Sequence, residues 1–385
     1  MKLGGSVQTP LSAKRGLDIA RIVLCLVAGS ATATEGYLDM HVHTAGIGAG
    51  GSGAFVGAEM RGNVRFRFYL SAFGVSEEEL EAEGDGLVIR KISAGVAESK
   101  QVARAVILAM DGVVADGELD REATQFFVPN DFVAAEVKRY DNLCYGASVN
   151  PYRHDALARL EQAREDGALL VKWIPNIMHF DPADAAIEPF YRKLIELDLP
   201  LLSHAGNEQA FADARDDLGD PRRLAFPLSL GVTVIAAHIA TTGKNEGEGN
   251  FERILPMFAE YPNLYSEVSS LTQLNKRNYL KRALDVPGLD ARLLYGTDYP
   301  LQFFPLVSSL WHLRHIGVGT ARLVGSIPNR WDRDVALKRA IGTPEHVFAR
   351  SAELLDVERC TEPPALDETG AQSAMLTGLT AAEPR

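Results

Sequence analysis

Cysteine is scarce in this sequence, which has three cysteines in 385 residues. Cys25, Cys144 and Cys360 lie far apart and form no C-x-x-C pair, which excludes a disulfide framework and a cysteine-ligated zinc site. Long apolar runs are also missing, because no stretch reaches the roughly 18–20 residues that a membrane span needs. The sequence therefore predicts a chain without a transmembrane span.

Positive charge is in short supply, since 39 Lys and Arg residues face 51 Asp and Glu residues and leave a net charge of −12. An acidic chain without a basic stripe repels phosphate backbones, which disfavours nucleic acid as a partner. Hydrophobic residues make up 46% of the chain and charged residues 23%. This globular composition excludes a disordered chain, a collagen-like chain and a coiled coil.

The two ends of the chain differ from its middle. Within residues 1–36, basic residues precede a short apolar run, Ile22–Ala28, and an Ala-x-Ala motif follows at residues 31–33. This order is typical of a secretory signal peptide, with an extra strand or helix packed on the fold as the alternative. A cleaved signal predicts a periplasmic or secreted protein, and otherwise the protein is cytoplasmic. Residues 356–385 lack periodicity and predict a disordered tail.

Short apolar runs alternate with helical patterns between residues 37 and 355. The runs predict eight strands, at Tyr37–Val42, Ala103–Met110, Leu143–Val149, Ala168–Ile174, Leu199–Ser203, Val232–Ala237, Asn263–Val268 and Arg292–Tyr295. Helices are predicted between them, at His154–Asp166, Ala185–Leu197, Phe251–Tyr261 and Asn275–Leu284. Such alternation is typical of a parallel sheet covered on both faces. We predict a (β/α)8 TIM barrel, with a doubly wound sheet as the alternative.

One connection is far longer than the others. Residues 44–102 separate the first two strands and include a capped helix start at Ser76–Glu83. Loops of this length usually serve a site, so we expect a lid-like insertion over the barrel mouth.

Six polar residues fall at predicted carboxyl ends of strands, where barrel enzymes keep their chemistry. They are His41, His43, Lys172, His204, His238 and Asp298. Residues i and i+2 of a strand point the same way, so His41 and His43 project together. Each position alone is more often structural, but imidazoles converging with a carboxylate make a site for a divalent metal such as zinc. Asp298 is then a ligand, a general base, or both.

Three strings carry a family resemblance: Leu38–His43 (LDMHVH), Ser203–Gly206 (SHAG) and Tyr295–Pro300 (YGTDYP). With the order HxH, Lys, His, His, Asp, they resemble the amidohydrolase superfamily. The branch is the amidohydrolase-related one, which includes decarboxylases of the aminocarboxymuconate type. The resemblance covers residues 37–355, although the long insertion and the N-terminal extension depart from the common pattern.

The resemblance implies roles for the strand-end residues. His41, His43 and His204 are implied as metal ligands, His238 as a ligand or an acid–base group, and Asp298 as ligand and base. Lys172 matches the position that bridges two metals when carbamylated. The number of metal ions, one or two, is therefore left open. Two other states of Lys172 are also left open: a neutral amine, or an ammonium group paired with a carboxylate such as Asp181 or Glu267.

Several loop residues near the strand ends are candidates for substrate binding. Barrel packing is the alternative for Trp173, and helix capping is the alternative for Asn207 and Glu208. Glu267 is expected to orient a histidine ligand or to form an ion pair with the lid. The candidate substrate-binding residues are Trp173, Asn176, Asn207, Glu208 and Tyr299.

We therefore predict a metal-dependent hydrolase that acts on a small-molecule amide, ester or lactone through metal-activated water, with Asp298 and His238 as catalytic residues. The first alternative is a decarboxylase of a small aromatic or unsaturated acid whose carboxylate meets Arg61, Arg65 or Arg67. The second is a non-catalytic metal-binding barrel. The sequence leaves open whether the protein forms a homo-oligomer.

Overall fold

The computed structural model describes residues 36–360, and its centre is a sheet of eight strands in which neighbouring strands run parallel in chain order. Each strand falls on one of the predicted apolar runs, so the eight predicted strands are confirmed. The strands are β1 Tyr37–His43, β2 Val102–Leu108, β3 Leu143–Ala147, β4 Ala168–Trp173, β5 Leu201–Ser203, β6 Val234–Ala236, β7 Leu264–Glu267 and β8 Leu293–Leu294.

Backbone hydrogen bonds join the two edges of this sheet. The amide of His43 donates to the carbonyl of Tyr299 over 3.0 Å, and the amide of Asp298 donates to the carbonyl of His41 over 2.9 Å. Val42 also forms a parallel bridge with Tyr299. These bonds connect β1 to the segment after β8, so the sheet closes on itself as a TIM barrel. The doubly wound alternative, which leaves both edges open, is wrong.

Helices lie between the strands, and none within residues 36–360 combines the length and the apolar character that crossing a membrane requires. The α-helices are Ala58–Arg61, Val64–Phe73, Glu77–Glu83, Gly86–Ala97, Asn130–Val137, Ala156–Glu165, Pro175–Met178, Glu188–Glu196, Ala225–Leu230, Asn250–Ile254, Met257–Glu260, Tyr279–Leu284, Leu313–Gly325, Arg330–Ile341 and Glu345–Leu354. Short 3₁₀ turns include Ala49–Gly51, Ala185–Ile187, Asp216–Gly219, Pro221–Leu224, Ala237–Ala240, Leu274–Lys276, Leu289–Arg292, Ser309–His312 and Val357–Cys360.

The helix predictions hold where local signals are strong. Ser76 and Glu79 form the expected capping box at the start of helix Glu77–Glu83. The helix predicted at Phe251–Tyr261 is instead two short helices that meet near Pro256. Proline has no amide hydrogen to continue the helical ladder, which explains the break.

The barrel wall separates two apolar clusters. Leu170 belongs to the inner cluster with Leu38 and Met40, whereas Val171 and Trp173 pack in the outer layer against the helices. Along β4 this alternation turns Lys172 toward the barrel interior, as a period of two requires. In β1 the register shifts between Asp39 and Val42, and such an irregularity re-aims side chains near active sites.

Cys144 and Cys360 form a disulfide with Cα atoms 5.1 Å apart and a sequence separation of 216. The expectation that the cysteines do not pair is therefore wrong, because the fold brings together residues that no local spacing relates. The tail predicted from Asp356 begins as the 3₁₀ turn Val357–Cys360. The predicted signal peptide and residues 361–385 lie outside the described residues.

Candidate metal centre

The predicted ligands converge at the mouth of the barrel. His41 and His43 end β1, His204 follows β5, and His238 lies two residues after β6. Asp298 lies four residues after β8, at the point where the chain closes on β1. All five line one cavity. The parallel barrel thus places at one end residues that are up to 257 positions apart.

Short distances join the nitrogen and oxygen atoms of this cluster. The Nε2 atoms of His41 and His43 lie 3.1 Å apart, and Asp298 Oδ1 lies 3.5 Å from the first and 3.3 Å from the second. His238 Nε2 lies 3.9 Å from Asp298 Oδ2. One ligand atom each from His41, His238 and Asp298 lie within 4.8 Å of one another. Lone pairs packed so closely suit a shared divalent cation.

Two further side chains offer atoms that have no hydrogen-bond partner among the described residues. His204 Nε2 is buried without a partner, although the His204 ring lies 5.4 Å from that of His238. Lys172 is 2% exposed, and its Nζ also lacks a partner. Buried polar atoms are rarely left unpaired, so the unpaired His204 nitrogen fits a metal, and Lys172 fits one when it is carbamylated.

Burial and charge favour the neutral form of the cluster's three buried histidines, His41, His204 and His238. Burial, aided by the Lys172 charge, lowers the pKa of His41 to about 4. Burial also lowers the pKa values of His204 and His238 well below the usual range, with Lys172 and Lys276 adding to the effect at His204 and Lys276 at His238. The neutral imidazole is the form that binds a metal, so these rings are prepared for ligation at neutral pH.

Asp298 is the carboxylate at the centre of the cluster. Burial opposes its ionisation, but electrostatic interaction with the surrounding rings, His238 first, and the hydrogen bond from His43 outweigh burial and hold the pKa of Asp298 well below its ordinary value. The group is therefore a carboxylate at neutral pH, able to ligate a cation or accept a proton.

Glu267, at the end of β7, lies behind the histidines. Its Oε1 lies 3.1 Å from His41 Nδ1 and accepts from the His238 amide over 3.1 Å. A carboxylate in this position fixes the tautomer and orientation of a ligating ring, so the contact of Glu267 with His41 is consistent with the orienting role and places Glu267 away from an ion pair with the lid. Gly296 makes room for Glu267 and His41, since a Cβ there would lie 2.9 Å from His41 Cβ and 3.1 Å from Glu267 Oε2.

Two of the clustered residues have a left-handed backbone. His238 has φ 57° and Asp298 has φ 64°, values that residues other than glycine seldom adopt. Such conformations persist where the surrounding structure imposes them, and they concentrate at functional sites.

The surroundings of Asp298 include a buried network on β1 and helix Arg330–Ile341. The Asp39 carboxylate accepts from the amide of Thr297 over 2.9 Å and from Trp331 Nε1 over 2.9 Å. Burial raises the pKa of Asp39 to about 7. Lys338 Nζ donates to the Gly296 carbonyl over 2.8 Å. The two residues that precede Asp298 are therefore both held by hydrogen bonds.

The cavity above the cluster has a volume of about 380 Å³, within the range of small-molecule sites. Its floor is polar and formed by the strand-end residues. Its walls are largely apolar and come from the chain after β1 and from later loops: Met60, Phe66, Phe68, Leu70, Phe73, Met110, Phe126, Phe211, Leu301 and Leu306.

The predicted substrate-binding residues divide into two groups. Asn207 and Glu208 line the cavity. Trp173 packs in the outer layer against Phe180 and Phe190, which agrees with the packing alternative. Neither of the remaining two lines the cavity: Asn176 donates to the Gly206 carbonyl and Tyr299 stacks on Trp331.

Sequence reasoning missed Lys276 and Gln273, which line the cavity from the loop after β7. They follow the strand by nine and six residues, too far for a strand-end pattern to indicate them. The predicted carboxylate partners are placed differently: Arg61 pairs with Glu77, and neither Arg61 nor Arg67 lines the cavity.

A protein-family model matches most of this chain, and several solved structures resemble it at low sequence identity. The family model described as amidohydrolase matches residues 39–316. An uncharacterized TIM-barrel protein from Bordetella bronchiseptica has a TM-score of 0.52 at 17% identity, over 85% of this chain and 100% of its own. N-acetyl-D-glucosamine-6-phosphate deacetylase from Mycobacterium smegmatis has a TM-score of 0.42 at 10% identity, over 86% and 81%. The 5-carboxyvanillate decarboxylase from Novosphingobium aromaticivorans, solved with manganese, has 0.41 at 14%, over 83% and 95%. No curated protein matches this chain.

The Bordetella structure supports the barrel fold. The family model begins at Asp39, two residues before His41, and ends after Asp298, so it spans all six predicted ligand positions. Since this match covers well over half of the sequence, the chain belongs to the amidohydrolase family.

Proposed function

We propose that the protein is a metal-dependent hydrolase that cleaves an amide, ester or lactone bond in a small molecule. The observation that carries this proposal is the convergence of neutral imidazoles and the Asp298 carboxylate at the floor of an apolar cavity. The orphaned atoms of His204 and Lys172 add to the set of donors.

In this proposal His41, His43, His204, His238 and Asp298 hold the metal. If Lys172 is carbamylated, it joins them as a further anionic ligand, and the enlarged donor set can hold a second ion. The donor set is dominated by nitrogen, which suits zinc, and manganese is the alternative. When bound, the metal supplies Lewis acidity toward a water molecule and a carbonyl oxygen.

The residues of the chain carry the proton transfers. Asp298 accepts a proton from the attacking water and delivers it to the leaving nitrogen or oxygen as the bond breaks. With two ions His238 is a ligand, whereas with one ion it lies beside Asp298 and stabilises the charge that develops on the reacting group. Asn207 and Glu208, on the cavity wall, position the substrate.

The chain between β1 and β2 serves as the lid in this proposal. Met60 and four residues of helix Val64–Phe73 provide apolar wall above the floor. A lid of this kind excludes water and strengthens electrostatic interactions at the floor.

Metal analysis and a substrate panel test the proposal together. Protein expressed with supplemented zinc or manganese is expected to purify with about one to two equivalents of metal and to cleave an ester, lactone or amide in the panel. Metal below roughly 0.2 equivalents per chain would contradict the site, given the high affinity of such donor sets.

A decarboxylase is the second candidate, because the buried lysines Lys172 and Lys276 line the same cavity and suit a carboxylate. Release of carbon dioxide from an aromatic acid without hydrolysis of the panel would favour this function. Bound metal with neither reaction would favour a non-catalytic binding barrel.

A further inference from the structure

Lys276 is a buried cation in the cavity wall. It ends the 3₁₀ turn Leu274–Lys276 and is 8% exposed. Its Nζ donates to Ser270 Oγ over 2.6 Å, and no carboxylate within residues 36–360 forms a salt bridge with it. A buried ammonium group whose contact is a neutral hydroxyl lacks the counter-charge that burial normally requires.

The nearby carboxylates are engaged elsewhere. Asp298 lies among the histidines, Glu267 contacts His41, and Glu208 accepts from the Ala210 amide over 2.6 Å. These charges act on Lys276 through space, but none of them reaches its Nζ at ion-pair distance. The described residues therefore supply no anion in direct contact with the Lys276 ammonium group, and the anion of a ligand can take that position.

Gln273 provides a second, independent sign of a ligand. It lies three residues before Lys276 at the start of the same turn, lines the same cavity and is 4% exposed. Its Nε2 is buried and has no hydrogen-bond partner among the described residues. An unsatisfied amide donor that lines the same cavity as an ammonium group suits the oxygens of a carboxylate.

A second set of residues that line the cavity has a different chemistry. Phe66, Phe68, Leu70 and Phe73 lie on helix Val64–Phe73, and Phe211 adds a further apolar side chain. A ligand that satisfies both sets has an anionic end and an apolar, aromatic-sized body.

We infer that Lys276 and Gln273 form a subsite for a non-reacting carboxylate of the substrate, whose apolar body lies against helix Val64–Phe73. Placing a reactive bond over the metal floor rests on the proposed function, whereas binding of the anion does not. On this basis the substrate class is a carboxylic acid with an apolar body that also carries the bond to be cleaved, such as an N-acyl aromatic amino acid.

The test compares two probes of the same shape and different charge, 3-phenylpropionate and 3-phenylpropanamide. Their dissociation constants are measured by calorimetry on the metal-loaded, full-length protein. The wild type is expected to bind the carboxylate roughly ten- to a hundred-fold more tightly, as charge-assisted hydrogen bonds typically give. Lys276→Met is expected to reduce this preference to within about three-fold, and Gln273→Leu to reduce it in part.

Two variants serve as controls. Lys276→Arg keeps the charge and is expected to keep most of the preference. Lys281→Met removes an exposed lysine that pairs with Asp285 and is expected to behave as the wild type. If Lys276→Met does not fold, the test rests on Gln273→Leu and Lys276→Arg, whose preferences for the carboxylate probe are compared with that of the wild type.

An unchanged preference in Lys276→Met, or in Gln273→Leu where that pair carries the test, would overturn the subsite and assign the carboxylate to the metal floor. A Lys276-dependent preference without hydrolysis of N-acyl aromatic amino acids would overturn the proposed function and leave the subsite standing. Hydrolysis of these substrates without any preference for the carboxylate probe would overturn the subsite and leave the proposed function standing.

Discussion

Asp298 is the residue on which the proposed proton transfers depend. Its carboxylate contacts His41, His43 and His238. Asp298→Asn keeps the shape and one oxygen but cannot accept the proton. We expect kcat to fall by about 10² to 10⁴, while much of the metal and most of the fold are retained. Steady-state kinetics and elemental analysis measure the two effects.

Asp285→Asn is the matched control for this variant, because Asp285 is exposed and pairs with Lys281 on the surface. It is expected to turn over at the wild-type rate. Near-normal turnover in Asp298→Asn would show that another group carries the proton.

Lys172 distinguishes one-metal from two-metal chemistry. No carboxylate within the described chain forms a salt bridge with it, and Asp181 pairs with Arg223 instead. Burial lowers the pKa of Lys172 to about 8, which makes reaction of the neutral amine with carbon dioxide easier. We therefore expect Lys172→Ala to reduce metal from about two equivalents to about one or less, as loss of a bridging ligand requires.

Turnover of Lys172→Ala should fall by orders of magnitude and recover in part when short carboxylic acids are added. Lys281→Ala, an exposed substitution, is expected to change neither property. If Lys172→Ala keeps the wild-type metal count, the bridging role is wrong and the lysine belongs to substrate binding.

At the scale of elements, helix Arg330–Ile341 holds the loop that carries Asp298. Trp331 donates to Asp39 over 2.9 Å, and its ring stacks on Tyr299 with centroids 4.9 Å apart. Trp331→Phe keeps an aromatic ring but removes the donor from a buried carboxylate. We expect a loss of about 1–3 kcal/mol in the free energy of unfolding, measured by urea denaturation.

The metal dissociation constant of Trp331→Phe should also rise, because Asp39 contacts both Thr297 and the His41 amide. Trp311→Phe is the control, since Trp311 lies near the surface and donates to the Pro305 carbonyl. It is expected to change stability by about 0.5 kcal/mol or less. Equal losses in the two variants would contradict the anchoring role.

At the scale of the whole molecule, the Cys144–Cys360 disulfide ties β3 to the last described turn. A crosslink closing so long a loop is expected to stabilise the fold by about 2–5 kcal/mol through the unfolded chain. Thermal unfolding of Cys360→Ser should therefore occur several degrees below that of the wild type. Reductant should lower the Tm of the wild type but leave that of Cys360→Ser unchanged.

The disulfide and the N-terminal pattern make one further prediction about compartment. Disulfides persist in oxidising compartments, and cleavage near Ala33 would remove Cys25 and leave two paired cysteines. Mass spectrometry of protein from its native host is expected to find a mature start near Thr34 and no free thiols. An intact Met1 on protein with free thiols would contradict export.

The sequence by itself determined the eight strands and the cluster of polar residues at the strand ends. Each strand is a short apolar run, and His41, His43, His204, His238 and Asp298 follow their runs closely. A local pattern is sufficient here, because a parallel barrel gathers all strand ends at one face.

Only the tertiary structure decided what surrounds that cluster. Lys276 and Gln273 reach the cavity from a loop whose path no periodicity encodes, and which side chains of the expected lid form its apolar wall is likewise decided by packing. The Cys144–Cys360 pair and the bond between Trp331 and Asp39 join residues more than two hundred positions apart. Such contacts depend on how separate elements pack, and packing is a property of the folded chain that local spacing does not record.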